Sequence, residues 1–101
     1  MSEHDMDAIV GRATEQVNLL EEALAGLASI TVRASSESDQ VTVEVDGNGN
    51  LTGLWMDDSI STLDVRVLAA LITSTSHEAA RLADEQRALV MRRLQDAFGR
   101  V

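Results

Sequence analysis

Residues 29–57, SITVRASSESDQVTVEVDGNGNLTGLWMD, hold nearly all the β-branched alternation in the chain and decide its fold class. Ile30, Val32 and Ala34 alternate with Thr31 and Arg33, and Val41, Val43 and Val45 alternate with Thr42, Glu44 and Asp46. A period of two with one apolar and one polar face predicts strands covered on one side. Ser-Ser-Glu-Ser-Asp reads as a polar hairpin loop, and Asp46-Gly47-Asn48-Gly49-Asn50 offers residues that tolerate the positive φ of a tight turn. The expectation is an antiparallel meander with strands over 29–35, 40–46 and 50–56. The third strand differs from the others. Leu51 and Trp55 are expected on one face and Leu54 and Met56 on the other, so it should be covered twice.

Helix-forming runs stand on both sides. Met6, Val10, Ala13, Val17, Leu20, Leu24 and Leu27 recur at alternating steps of four and three, the a/d spacing of a helical seam, with Ile9 and Leu19 widening the stripe. A helix over 4–27 follows, and Gly26, Ala28 and Ser29 form its expected stop. Its stripe fits either packing onto the chain's own sheet or a seam with a second chain. Beyond Asp57 and Asp58, Ser61 or Thr62 is the expected N-cap of a second helix over 61–98, with Asp64 placed near the exposed amides of its first turn. No proline interrupts this helix. At 1.5 Å per residue it would run roughly 54 Å and overhang a domain whose expected radius of gyration is about 13 Å. Ala79, Ala83, Val90, Leu94, Ala97 and Val101, with Leu82, Leu89 and Phe98 beside them, extend an apolar stripe along the overhang. A second copy of the chain is its simplest cover.

Composition narrows the function. At 101 residues and 45% apolar content the chain fits one domain, residues 1–101, with a core of its own. It has no cysteine, which excludes disulfide frameworks, thiolate zinc sites and thiol nucleophiles. No apolar run approaches the ~20 residues of a membrane span, and the start MSEHDMDA is acidic where a signal peptide would be basic. A cytoplasmic protein without a membrane partner is expected.

A search for chemistry finds little. Asp46, Asn48, Asn50 and Asp57 occupy positions 1, 3, 5 and 12 of a calcium loop, but Leu51 replaces the required glycine at position 6 and strands flank the loop instead of helices. A hairpin turn is the reading, with no calcium or other metal. His4 and His77 are isolated, and no base is paired with the Thr73–Ser76 run. Gly47 and Gly49 lead into a strand, whereas a phosphate-binding glycine loop leads into a helix N-terminus. The expectation is a non-enzyme with no catalytic residues, no cofactor and no small-molecule substrate.

The order helix, meander, long helix, together with VTVEVDGNGN, LTGLWMDDSI and HEAARLADEQ, resembles the YbaB/EbfC family of small nucleoid-associated proteins over roughly residues 5–95. The resemblance implies an α+β fold of order αβββα, a homodimer joined largely through its sheets with projecting helices, and duplex DNA as the ligand, bound with little sequence preference. YbaB-like proteins also occur as accessory factors of type VII secretion in actinobacteria. An acidic, arginine-only member is similar to those, and this gives a second expectation: a protein-interaction module that holds a protein partner and binds no DNA.

Charge bears on that choice. The net charge is −9; residues 1–27 and 28–61 carry −5 each and residues 62–101 carry +1, and all eight basic residues are arginine. A polyanion is repelled unless the cations are gathered on one face. Only the last helix can gather them, through Arg81, Arg87, Arg92, Arg93 and Arg100, the DNA-contact candidates. Arg81, Arg92, Arg93 and Arg100 fall within a 120° arc of the helix that Glu78, Glu85 and Asp96 share, and Arg81–Glu85, Arg92–Asp96 and Asp96–Arg100 have i,i+4 spacing, so intrahelical ion pairs compete for them. The dimer-interface candidates are Leu51, Leu54, Trp55 and Met56 on the third strand, with Val10, Val17 and Leu24 as the helical alternative.

Overall fold

The computed structural model describes residues 2–99. Helix α1 (Glu3–Ala28) precedes strands β1 (Thr31–Ser35), β2 (Val41–Asp46) and β3 (Leu51–Met56), and a short 3-10 turn (Asp58–Thr62) leads into helix α2 (Val65–Gly99). The sheet has the order β1-β2-β3 and both pairings are antiparallel. Two helices thus flank a three-stranded meander.

Local chemistry sets the boundaries. Ser2 Oγ accepts the Asp5 N–H at 3.2 Å to cap α1, and Glu3 and Asp5 stabilise the positive end of its dipole. At the other end Ser29 N–H donates to the Ala25 carbonyl. Gly26, expected as the stop, lies inside the helix; its missing side chain lets Val90 of α2 come close, a Cβ there being 3.7 Å from Val90 Cγ1.

In the second turn the Asp46 carboxylate accepts the Asn48 and Asn50 N–H groups at 2.9 and 3.0 Å, so it is engaged with backbone amides. Gly49 alone of the two turn glycines takes a positive φ, +81°. Gly47 is needed for space: a Cβ there would sit 2.9 Å from the Leu27 carbonyl oxygen.

The second helix starts later than its sequence suggests. Asp57 caps the 3-10 turn through Ser59 N–H, and Thr62 Oγ1 donates to the Ser59 carbonyl within it, so neither Ser61 nor Thr62 is the cap of α2. Leu63 is extended, and Asp64 takes the capping role by accepting Arg66 N–H at 2.8 Å.

Ile30, Val32 and Ala34 interlock with Val41, Val43 and Val45 under α2, which closes the core with Ala79 and Ala83, both fully buried. Each of the three β2 valines contributes about 2 kcal/mol of apolar burial. Alanine at 79 and 83 lets the helix backbone approach the sheet, and Leu68, Leu71, Ile72 and Leu82 fill the flanks.

The overhang is real, but its cover is in cis. The molecule measures 76 × 18 × 15 Å with a radius of gyration of 21.1 Å, well above the ~13 Å of a compact chain of this size. Val90, Leu94 and Ala97 face Leu19, Ala23 and Gly26 of α1, so α1 and the sheet lie end to end against one face of α2. That corrects the expectation of a second copy over Val90, Leu94 and Ala97, while Leu89 and Phe98 beside them stay exposed; Val101 lies outside the described residues. The α1 stripe does not pack on the chain's own sheet either, Leu27 at its end excepted. Leu19, Ala23 and Gly26 dock α1, roughly 140° round the helix from Met6, Val10, Val17, Leu20 and Leu24, which stay exposed.

Candidate nucleic-acid and subunit interfaces

The arginines of α2 divide by their carboxylate neighbours. Arg81 is held between Glu78 and Glu85, at 2.7 and 2.6 Å, and these two carboxylates push its pKa further up, while its hydrogen bond holds Glu78 below the usual carboxylate range. The expected Arg92–Asp96 pair is not formed: among the described residues the ion pairs are Arg81 with these two glutamates and Arg33 with Glu44. Arg87, Arg92 and Arg93 are exposed and, among the described residues, have no carboxylate within ion-pair distance. Arg93 borders a narrow slot between the helices, opposite Glu22, and Arg92 lies on the back of α2, away from α1 and the sheet. Arg100 lies outside the described residues. These positions can offer phosphate-sized anions unpaired guanidinium donors, at a site ringed by acidic residues.

The third strand is uncovered. Every residue of β3 except the half-buried Gly53 is exposed, including Leu51, Leu54, Trp55 and Met56. Helix α2 rests on β1 and β2, and a helix about 10 Å across spans only about two strands spaced 4.8 Å apart. The faces also differ from the sequence expectation. Val41 pairs with Met56, Val43 with Leu54 and Val45 with Leu51, while the register shifts between Glu44 and Val45 and inserts Thr52. This bulge turns Leu51 onto the core-side face with Leu54 and Met56, and Trp55 remains alone on the outer face.

On that outer face the indole of Trp55 lies over Gly53, where a Cβ would be 2.5 Å from the ring. The Arg33 guanidinium sits 4.3 Å from the ring centroid and donates to Glu44 at 3.1 Å, while Thr52 Oγ1 donates to the other Glu44 oxygen at 2.9 Å. The Thr52 hydrogen bond first, then Arg33, holds the Glu44 carboxyl below its usual range. Sequence reading missed this cluster. Arg33 opposite Glu44 follows from the first hairpin register, but bringing Thr52 to Glu44 needs the bulge.

Most of the exposed apolar groups of α1 and β3 share one side of the molecule, whereas Trp55 on the outer sheet face and Val67 and Leu89 of α2 do not. Ser35, Ser36 and Ser38 line a cavity with Leu71, Ser74 and Thr75, which puts β1 and its loop on one side of α2. Gly49, at the turn before β3, lies near Ala80 on the other side, a Cβ there being 3.7 Å from Ala80 Cβ. The Glu22–Arg93 slot lies on the β1 side of the helix pair. By helical geometry the α1 stripe of Val10, Val17, Leu20 and Leu24 faces away from α2 and leans to the β3 side, and Met91 and Phe98 of α2 also lie on that side. This flank carries Leu51, Leu54 and Met56 of β3 at one end and the edge of the α1 stripe at the other, and Trp55 stands apart on the outer face.

Three comparisons place this architecture. The YbaB/EbfC DNA-binding family model matches residues 1–98. A nucleoid-associated protein of Caulobacter sp. (strain K31) is 33% identical over 96 residues, covering 94% of this chain and 85% of that protein, and one from Caulobacter vibrioides matches equally. A crystal structure of an uncharacterized protein from Helicobacter pylori superposes with a TM-score of 0.61 at 19% identity, over 94% of this chain and 98% of that one, and supports the fold. With the element order, the valine strand and its turn, and the long second helix all in place, the chain belongs to the YbaB/EbfC DNA-binding family.

Proposed function

We propose that this chain is a non-enzymatic, homodimeric, nucleoid-associated protein of the cytoplasm that binds duplex DNA through backbone phosphates with little sequence preference. The observation that carries the DNA reading is the state of Arg92 and Arg93, exposed and unpaired on α2 while Arg81 is consumed by Glu78 and Glu85. Arginines without carboxylate partners can release counterions on meeting phosphate, and no base-reading element accompanies them. Arg87 is the third candidate contact. The dimer is supported by surface area: 7200 Å² is exposed, against about 5,600 Å² for a compact monomer of this mass.

Net charge −9 favours a second reading, a dimer that holds a protein partner and no DNA. Salt separates the two. If Arg92 and Arg93 of both copies meet phosphates, log K against log salt should fall with a slope of about −3 to −4, giving a duplex complex at ~50 mM salt that fades toward 200 mM. The double variant Arg92→Ala/Arg93→Ala should abolish it. No complex at ~50 mM salt on any duplex would overturn the DNA reading in favour of the protein partner.

A further inference from the structure

We propose that Glu78 and Glu85 are affinity-limiting residues that clamp Arg81 and withhold it from DNA, an inference that rests on the DNA reading above. Each of the three guanidinium nitrogens of Arg81 donates to a carboxylate. Nε and Nη2 donate to the two oxygens of Glu78 at 3.0 and 2.7 Å, and Nη1 donates to Glu85 at 2.6 Å. The fork is thus engaged from the turn before it and from the turn after it. A phosphate uses the same donors in the same bidentate geometry, and it can reach them only by displacing a carboxylate.

Position makes the withheld arginine matter. Arg81 stands two residues after Ala79 and two before Ala83, both fully buried against the sheet, so it lies on the opposite face of α2. Arg92 follows eleven residues later, three turns and about 16 Å along the helix, within roughly 20° of the same direction. A duplex lying along the back of α2 would pass both. Glu78, Glu85 and Asp96 share that face, so it carries three acids against Arg81 and Arg92. With the two glutamates neutral, the balance turns to two cations against one acid. The clamp therefore acts twice: it occupies the donors of Arg81, and it sets two negative charges beside any phosphate that approaches them.

Stability does not account for the arrangement. All three side chains are about half exposed or more, and ion pairs so open to water stabilise a fold very little. Pairing is not the general fate of arginines on this helix either, since Arg87, Arg92 and Arg93 have no carboxylate within ion-pair distance among the described residues. Glu78, held below the usual carboxylate range by Arg81, stays ionised at neutral pH, so the clamp is a fixed attenuation of binding and not a pH switch.

The test is the pair Glu78→Gln/Glu85→Gln, which keeps side-chain length and helix propensity while removing both charges; circular dichroism checks the fold. Affinity for duplex DNA would be measured against salt for this variant, for the unsubstituted chain and for Glu15→Gln/Glu21→Gln, which removes the same charge from α1. In the Gln pair the log–log slope should steepen from about −3 to −4 to about −5, as Arg81 of both copies joins the contacts, and affinity at ~50 mM salt should rise about tenfold. The α1 control should keep its slope and gain less than about threefold in affinity. Adding Arg81→Ala to the Gln pair should return the slope to its starting value, whereas Arg81→Ala alone should leave the slope there. A Gln pair no different from the α1 control, or a steeper slope that survives Arg81→Ala, overturns the clamp while the DNA reading stands. A complex formed by the Gln pair alone would overturn the DNA reading for the unsubstituted chain and uphold the clamp as the cause. No complex with either protein overturns both.

Discussion

Strands β2 and β3 are neighbours of equal length, and Val43 and Leu54 are direct partners on the same face of the sheet, yet Val43 is 0% exposed and Leu54 is 38% exposed. Hydrophobicity does not separate them. What separates them is position under α2, whose buried alanines seat it over β1 and β2 and leave the third strand beyond its reach. Apolar content therefore records that a face must be covered, and topology decides whether the same chain can cover it. In β2 that cover is intramolecular; for β3, in the dimer proposed above, it comes from a second chain.

The strongest way to break this comparison is to remove the same kind of contact from each partner. Val43→Ala deletes two methyl groups from a fully buried site and should lower stability by about 2 to 3 kcal/mol, seen as a lower thermal midpoint at every protein concentration. Leu54→Ala should leave the fold of each chain in place and raise the dimer dissociation constant about tenfold or more, so that its thermal midpoint becomes more dependent on concentration than that of the unsubstituted chain. If Leu54→Ala instead lowers the midpoint by the same amount at all concentrations, β3 belongs to the intrachain core and the contrast with β2 fails.

The sequence made β2 legible and β3 only half so. Alternation of Val41, Val43 and Val45 with polar residues identifies a strand and its buried face without further information. Leu51 reads as a partner of Trp55 on simple period-two counting, and it lies on the opposite face because the bulge at Thr52 inserts one residue, an event with no strong local signature. The helices show the same division. The regular stripe from Met6 to Leu24 identifies α1, but the contact that docks it uses Leu19, Ala23 and Gly26, where small side chains permit close approach and carry little hydrophobic signal. The arginines were legible as candidates from their spacing, but only coordinates distinguish Arg81, engaged by two glutamates, from Arg92, whose i,i+4 partner Asp96 is not engaged.

A smaller effect probes the outer face of β3, where the chain does supply its own cover. Gly53→Ala would place a methyl group against the Trp55 ring and displace the indole from Arg33. Such a cation–π contact at an exposed site is worth roughly 0.5–1 kcal/mol, so stability should change little. The chain has one tryptophan, and its emission should report the displacement directly. An unchanged emission spectrum in folded Gly53→Ala protein would show that the ring does not rest where the geometry puts it.

The smallest effect concerns Glu44, which ties β1, β2 and β3 together on that outer face through Arg33 and Thr52. These partners lower its pKa in the folded chain, the Thr52 hydrogen bond most. A carboxyl with a folded-state pKa below its unfolded value binds fewer protons when folded, so its contribution to stability is fully present above the unfolded value and disappears as pH falls through the folded one. Glu44→Gln keeps the size of the side chain and removes this linkage. The stability of the two proteins should differ most near neutral pH and converge as pH falls below the usual carboxylate value of 4.5 and through the lowered folded-state one. Because the site is open to water and Arg33 is largely exposed, salt should narrow the difference at neutral pH as well. Parallel acid-denaturation curves for the two proteins, offset equally at every pH, would show that Glu44 acts by packing alone. The outer face of β3 would then be held by the Trp55 stack and not by charge.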